Sequence, residues 1–150
     1  MKTIKLIVIA SLIGLLAGSC CYRCNYQKRH APQLQGVVWK LIQFDKKDVV
    51  AENQYEISFL KSGRVAGVGA CNRFFGPYEI LNNNGGLTIG PVASTLMACP
   101  GENIEAEYFR MLEEARLYQI DGINLYMFVN DKVKAVFVAT DKPVEENAQN

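Results

Sequence analysis

Hydrophobic periodicity predicts a mainly β fold with one α-helix (α+β), arranged as a small antiparallel β-barrel or half-barrel closed by that single helix. Three observations carry this. Apolar residues alternate with their neighbours over seven or eight short stretches. Turn residues separate those stretches, and the connections are too short for parallel crossovers. One segment, after Pro100 and Gly101, changes to helical spacing.

The β pattern begins at Leu34. In VVWKLIQF, Val37, Trp39 and Leu41 alternate with Val38, Lys40 and Ile42, and in YEISFL the residues Tyr55, Ile57 and Phe59 share one face. KSG (61–63) turns the chain into RVAGVGA, where Gly67 and Gly69 predict bulges and sharp curvature. Asn72, at the corner that follows, suits a positive φ, and Phe74, Phe75 and Tyr78 return the chain to the core. FFGPYEIL leads through the NNNGG turn (82–86) to LTIG. ENIEAEYFRMLEEARLY then reads as a helix of about 14 residues, because Ile104, Tyr108, Leu112 and Ala115 recur at its period. Asn103 or a neighbour caps it, while Glu102, Glu105 and Glu107 suit the positive end of its dipole. LYQI, a turn at Asp121-Gly122, INLYMFV, a turn at Asn130-Asp131, and VKAVFVA complete the sheet.

The N-terminus is of a different kind. Lys2 and Lys5 precede an apolar run from Leu6 to Leu16, too short for a bilayer span of about 20 residues but suited to a secretory signal. LLAGSC then resembles a bacterial lipobox, with Ala17 standing where leucine is usual. Residues 1–19 are therefore expected to be a lipoprotein signal peptide, with Cys20 lipidated as the mature N-terminus. The alternative is ordinary cleavage near Ser19 with Cys20 a free thiol. Residues 20–33 form a polar tether, 34–140 the folded domain, and 141–150 a flexible tail. Cys21 is not the aspartate that often retains lipoproteins in the inner membrane. The expectation is thus outer-membrane attachment with the domain facing the periplasm.

Removing residues 1–19 takes two of the 16 basic residues and none of the 15 acidic ones, leaving a net charge of −1. Such a chain has no field to gather nucleic acid. The single histidine, His30, lies in the tether, so Cys71 has no imidazole to activate it and no Ser-His or Cys-His pair can form in the domain. The remaining acids fall on the helix face and in turns, where solvated charge is the default. Cys21 and Cys24 sit on the tether, and Cys71 and Cys99 lie far apart in sequence, unlike the two close pairs of a structural zinc site. No Lys-Ser/Thr follows the glycines of GVGACNRFFG, so they form no phosphate cradle. No catalytic residue, metal site or cofactor is expected. In an exported chain, Cys21, Cys24, Cys71 and Cys99 allow three pairings.

GACNRFFGPYEI, followed by LTIGPVASTLMACPG, then Glu107 and Phe109 on a helix before LYQIDGINLYMF, resembles the META domain of the HslJ heat-shock lipoprotein family. Trp39-Lys40-Leu41 near the domain start fits as well. The resemblance covers about residues 34–139. It implies a compact β-barrel-like fold with one helix, and an envelope protein linked to stress or antibiotic tolerance. It supplies no active site, so Cys71, Asn72, Gly76, Tyr78, Thr95, Met97 and Cys99 carry over as structural positions only. Cys71 then reads as architecture with Cys99 as its disulfide partner, and two buried reduced thiols are the alternative.

The leading functional expectation is a monomeric, non-enzymatic envelope lipoprotein acting in stress or antibiotic tolerance through an envelope protein or ligand. A carrier of a lipid or small apolar molecule inside the half-barrel is the second reading, since small barrels can hold one such ligand. The counter-reading fills the interior with Trp39, Phe59, Phe74, Tyr108 and Phe137. An apolar cavity near 300 Å³ or more would favour the carrier.

Overall fold

Among the described residues, alternating apolar residues pair into ten strands: β1 (Val38–Phe44), β2 (Lys47–Asp48), β3 (Glu56–Phe59), β4 (Arg64–Val68), β5 (Arg73–Ile80), β6 (Leu87–Ile89), β7 (Ala93–Ser94), β8 (Leu117–Asp121), β9 (Asn124–Val129) and β10 (Lys132–Thr140). One helix, α1 (Glu105–Glu114), lies between β7 and β8. The computed structural model describes residues 33–50, 54–81, 84–101 and 103–144. The expected signal peptide (1–19), the expected lipidation site Cys20 and the expected tether up to residue 32 lie outside the described residues, as does the tail from residue 145.

Every strand ladder is antiparallel, in the order β6-β5-β4-β3-β1-β10-β9-β8. The turns follow from their residues. Asp45-Lys46 and Asn130-Asp131 each place two consecutive residues at positive φ, the geometry of a two-residue hairpin that matches strand twist. Gly63 (φ 77°) and Gly122 (φ 59°) serve the β3–β4 and β8–β9 turns, where a side chain would be strained.

The sheet is not closed into a barrel. Among the described residues its terminal strands β6 and β8 share no ladder and meet only at the isolated bridge between Gly86 and Leu117. There Leu87 N–H donates to Arg116 O at 3.0 Å and Tyr118 N–H to Gly85 O at 2.8 Å. The result is a half-barrel whose inner face is covered by α1, which buries Tyr108, Met111 and Leu112.

Trp39, Phe59, Phe74, Tyr108 and Phe137 fill the interior, none more than 2% exposed. Tyr108 joins helix to sheet, its ring 5.5 Å from Tyr55, 5.9 Å from Phe74 and 6.3 Å from Phe137. Burying one such side chain stabilises by about 1.5–3 kcal/mol, against about 5–15 kcal/mol for a whole domain.

Several expectations need correction. The strands number ten rather than seven or eight because β2 and β7 are two-residue pieces below any pattern length. The helix has 10 residues, not about 14, because Arg116 leaves it for the sheet: its N–H donates to Phe128 O and its carbonyl accepts from Leu87. Phe75 is 47% exposed, since the alternation of β5 sends Phe74, Gly76 and Tyr78 inward and Phe75 outward, beneath the Arg64 guanidinium at 5.0 Å. Gly67 makes no bulge, for β4 holds a continuous register with both neighbours, and Gly69 lies beyond the strand, in the turn that follows it. The register shifts lie at Leu41/Gln43 in β1 and Val133/Ala135 in β10.

Candidate functional site

After β4 the chain turns at Gly69–Asn72, closed by Gly69 N–H donating to Asn72 O at 2.8 Å. The first residue of α1, Glu105, points its carboxylate into this corner. Its Oε1 accepts from the backbone N–H groups of Cys71 (3.2 Å) and Asn72 (3.0 Å), and its Oε2 from Asn72 Nδ2 (2.6 Å). The approach leaves no space at Gly69, where an added Cβ would stand 2.5 Å from Glu105 Oε1. Glycine is needed here for close packing, not for a bulge.

Asn72 is 4% exposed and every capacity of its amide is used. Nδ2 donates to Met97 O (3.0 Å) as well as to Glu105, and Oδ1 accepts from Thr95 Oγ1 (2.8 Å) and Met97 N–H (2.7 Å). Asn72 is absent from the positive-φ residues, so the expected backbone role gives way to a side-chain one. The amide clamps the strap that runs from Gly90 to Gly101.

The strap has further anchors. β7 pairs with β5 at Phe74–Ser94 and Phe75–Ala93, Thr95 N–H donates to Arg73 O at 3.0 Å, and Val92 N–H donates to Glu113 Oε1 at 2.8 Å. A disulfide joins Cys71 to Cys99, with Cα atoms 5.6 Å apart. A disulfide sulfur has no proton, so the 3.5 Å approach of Cys99 Sγ to Glu105 Oε2 is a contact and not a hydrogen bond.

Burial on its own would raise the Glu105 carboxyl. The hydrogen bonds from the Asn72 side chain and from the backbone of Asn72, Cys71 and Ala70 outweigh it and hold the group below its ordinary range. Glu105 is therefore a structural anion. With its sulfurs oxidised and its carboxylate engaged, the corner presents no nucleophile and no free base.

The profile of the META domain family matches residues 32–142, about three quarters of the chain. The chain belongs to the META domain family. A structure solved by NMR is 27% identical, covering 71% of this chain and 91% of its own, with a TM-score of 0.57. An NMR structure of a protein from Burkholderia xenovorans is 19% identical, covering 73% and 85%, with a TM-score of 0.55, and bears on the fold alone. No curated protein matches the chain.

Within this META domain the motif positions separate into two groups. Cys71, Asn72, Thr95, Met97 and Cys99 converge at the corner. Gly76 and Tyr78 lie further along β5. Gly76 admits the strap, since an added Cβ would stand 3.0 Å from Pro91 O. Tyr78 packs edge-on against Phe59 at 5.1 Å; its hydroxyl donates to Leu60 O (2.9 Å) and accepts from Gln35 Nε2 (2.7 Å).

Two acids were expected to be solvated and are not: Glu105 holds the corner and Glu113 the strap. Among the capping candidates, Asn103 Oδ1 accepts from Glu105 N–H at 3.2 Å, although the residue in the N-cap position is Ile104. A groove of about 410 Å³ crosses the outer face of β3, β4 and β5, lined by Ser58, Ala66 and Phe75 together with the charged Glu56, Arg73 and Lys142.

Proposed function

We propose that the chain is a monomeric, non-enzymatic lipoprotein of the outer membrane. It is anchored through Cys20, its META domain faces the periplasm, and it acts in stress or antibiotic tolerance by binding an envelope protein. The observation that carries the partner reading is the strap. Leu96 is 97% exposed and Met97 57%, side by side on a segment fixed by a disulfide, by Asn72 and by Glu113. Single exposed apolar residues need no explanation. Two adjacent ones on a clamped loop are already ordered, which lowers the entropy cost of binding.

The filled interior speaks against the carrier, because Trp39, Phe59, Phe74, Tyr108 and Phe137 occupy the space that a ligand would need. The groove on the outer face exceeds 300 Å³ but is open and bears charges, unlike an enclosed apolar cavity.

A photoreactive residue at position 96 of the full lipidated chain should give one discrete adduct in envelope fractions. A null strain sensitised to envelope stress should be rescued by the natural chain and not by Leu96→Asp. Full rescue by Leu96→Asp would remove the strap from the mechanism. Cys20→Ala should leave an uncut precursor, and a variant still cut after Ser19 and still membrane-bound would end the anchor reading.

A further inference from the structure

The spacing of Cys71 and Cys99 argues against a metal site in sequence, but the fold places both sulfurs and the Glu105 carboxylate within 4.8 Å of one another. We propose that these three side chains form a redox-gated zinc site, closed while Cys71 and Cys99 are bonded and open once they are reduced.

The conversion balances with a dithiol as reductant. It transfers two electrons to the Cys71–Cys99 disulfide, whose S–S bond breaks to give two thiols, and it leaves as its own disulfide. Zinc then displaces one proton from each thiol as two Zn–S bonds form. Two thiolates on a tetrahedral ion, with bonds of about 2.3 Å, stand about 3.8 Å apart. Side-chain rotation allows that separation when the Cα atoms are 5.6 Å apart.

The surroundings already have the form of a ligand shell. Glu105 Oε1 is held by the backbone N–H groups of Cys71 and Asn72, which turns Oε2 toward the sulfurs, 3.5 Å from Cys99 Sγ. That is the orienting support by which second-shell groups tune a metal ligand. Asn72 Nδ2 lies 3.8 Å from Cys71 Sγ and 3.5 Å from Cys99 Sγ, so the positive end of its amide dipole stands beside the thiolate charge even though its two hydrogens are given to Met97 and Glu105. Met97 O lies 3.9 and 4.0 Å from the two sulfurs and offers a neutral oxygen nearby. Two thiolates with one carboxylate suit zinc, whereas calcium and magnesium require oxygen throughout. A bound ion would tie the strap to the corner as the disulfide does, so one connection replaces the other.

The test uses the full chain with Cys20, Cys21 and Cys24 changed to serine, so that the tether contributes no thiol. Oxidised protein should take up no zinc. After reduction, with far-UV circular dichroism confirming the fold, it should bind one equivalent against a chromophoric chelator and melt at a higher temperature with zinc than without. Cobalt in place of zinc should give a charge-transfer band with the intensity of two thiolates, a readout that needs no change at the site. Glu105→Gln removes a ligand and should weaken zinc binding by at least the roughly 10–100-fold that follows loss of a ligand's outer supporting groups. Cys99→Ser should halve the cobalt band. Reduced, folded protein that binds zinc no better than oxidised protein overturns the proposal. So does binding that follows only the unfolded fraction, or a zinc affinity unchanged in a folded Glu105→Gln variant.

Discussion

Asn72 Nδ2 stands 2.6 Å from Glu105 Oε2, a buried amide and a carboxylate 33 residues apart that tie the β4–β5 corner to the first turn of α1. The same amide binds Thr95 and Met97, so one side chain joins corner, helix and strap. Asn72→Ala would orphan several polar groups, each worth about 1–3 kcal/mol when buried without a partner. The expected loss is about 3 kcal/mol in urea denaturation. Asn72→Asp should cost more at neutral pH, because it replaces a donor by a second negative charge facing Glu105. An Asp variant as stable as the natural chain would show that this contact contributes little.

Glu105 makes stability depend on pH in a definite sense. Burial opposes its charged form, but the hydrogen bonds prevail and lower its pKa below the ordinary 4.5. A lowered carboxyl binds protons more readily in the unfolded chain, so its contribution is complete above pH 4.5 and is lost as pH falls through the folded value. The difference in unfolding free energy between the natural chain and Glu105→Gln should therefore shrink on acidification from about pH 6 to about pH 3. A difference that stays constant or grows would contradict the assignment.

What the sequence discloses here depends on how local its cause is. Tyr55, Ile57 and Phe59 are legible as one buried face because the strand period is two residues, and Asn130-Asp131 is legible as a turn because those residues tolerate positive φ. In FFGPYE the aromatic doublet conceals the alternation that sends Phe75 outward. Glu105 is opaque for another reason: an acid at a helix start looks the same whether it faces water or a corner 33 residues away. Family motifs single out Cys71, Asn72, Thr95, Met97 and Cys99, whereas the carboxylate that completes the cluster stands outside them.

The two glycines beside the corner should respond differently to alanine. At Gly69 the added Cβ meets the Glu105 and Phe109 side chains at 2.5–2.9 Å, and side chains can move. At Gly67 it meets the Glu56 carbonyl at 2.0 Å, and that backbone is fixed by the β3–β4 ladder. Gly69→Ala should cost about 1–3 kcal/mol, as overpacking does, and Gly67→Ala more. Equal losses in thermal denaturation would mean that the corner yields as a unit.

The Cys71–Cys99 bond closes a loop across 28 positions. The chain-entropy model assigns such a loop about 3–4 kcal/mol, a sizeable share of the roughly 5–15 kcal/mol that holds a domain together. The double change Cys71→Ala with Cys99→Ala should lower the denaturation midpoint accordingly while leaving the fold intact, since Asn72, Glu113 and β7 still fasten the strap. A midpoint unchanged by the double substitution would mean that those fastenings alone restrict the loop.

Tyr108 offers a test of opposite sign. Its hydroxyl is fully buried and has no hydrogen-bond partner among the described residues, and burial pushes the phenol well above its ordinary pKa. The ring is needed, because it packs against Tyr55, Phe74 and Phe137 in the middle of the core. The oxygen is a cost, since an unsatisfied buried hydroxyl loses about 1–3 kcal/mol of hydration with little in return. Tyr108→Phe keeps the ring and removes that cost, so the variant should be as stable as the natural chain or about 1 kcal/mol more stable. Tyr108→Ala should lose about 3–5 kcal/mol, as large-to-small changes of buried aromatics do. If Tyr108→Phe instead destabilised by more than about 1 kcal/mol, the hydroxyl would be contributing a net favourable hydrogen bond, and the interior would have to be redrawn around a polar contact.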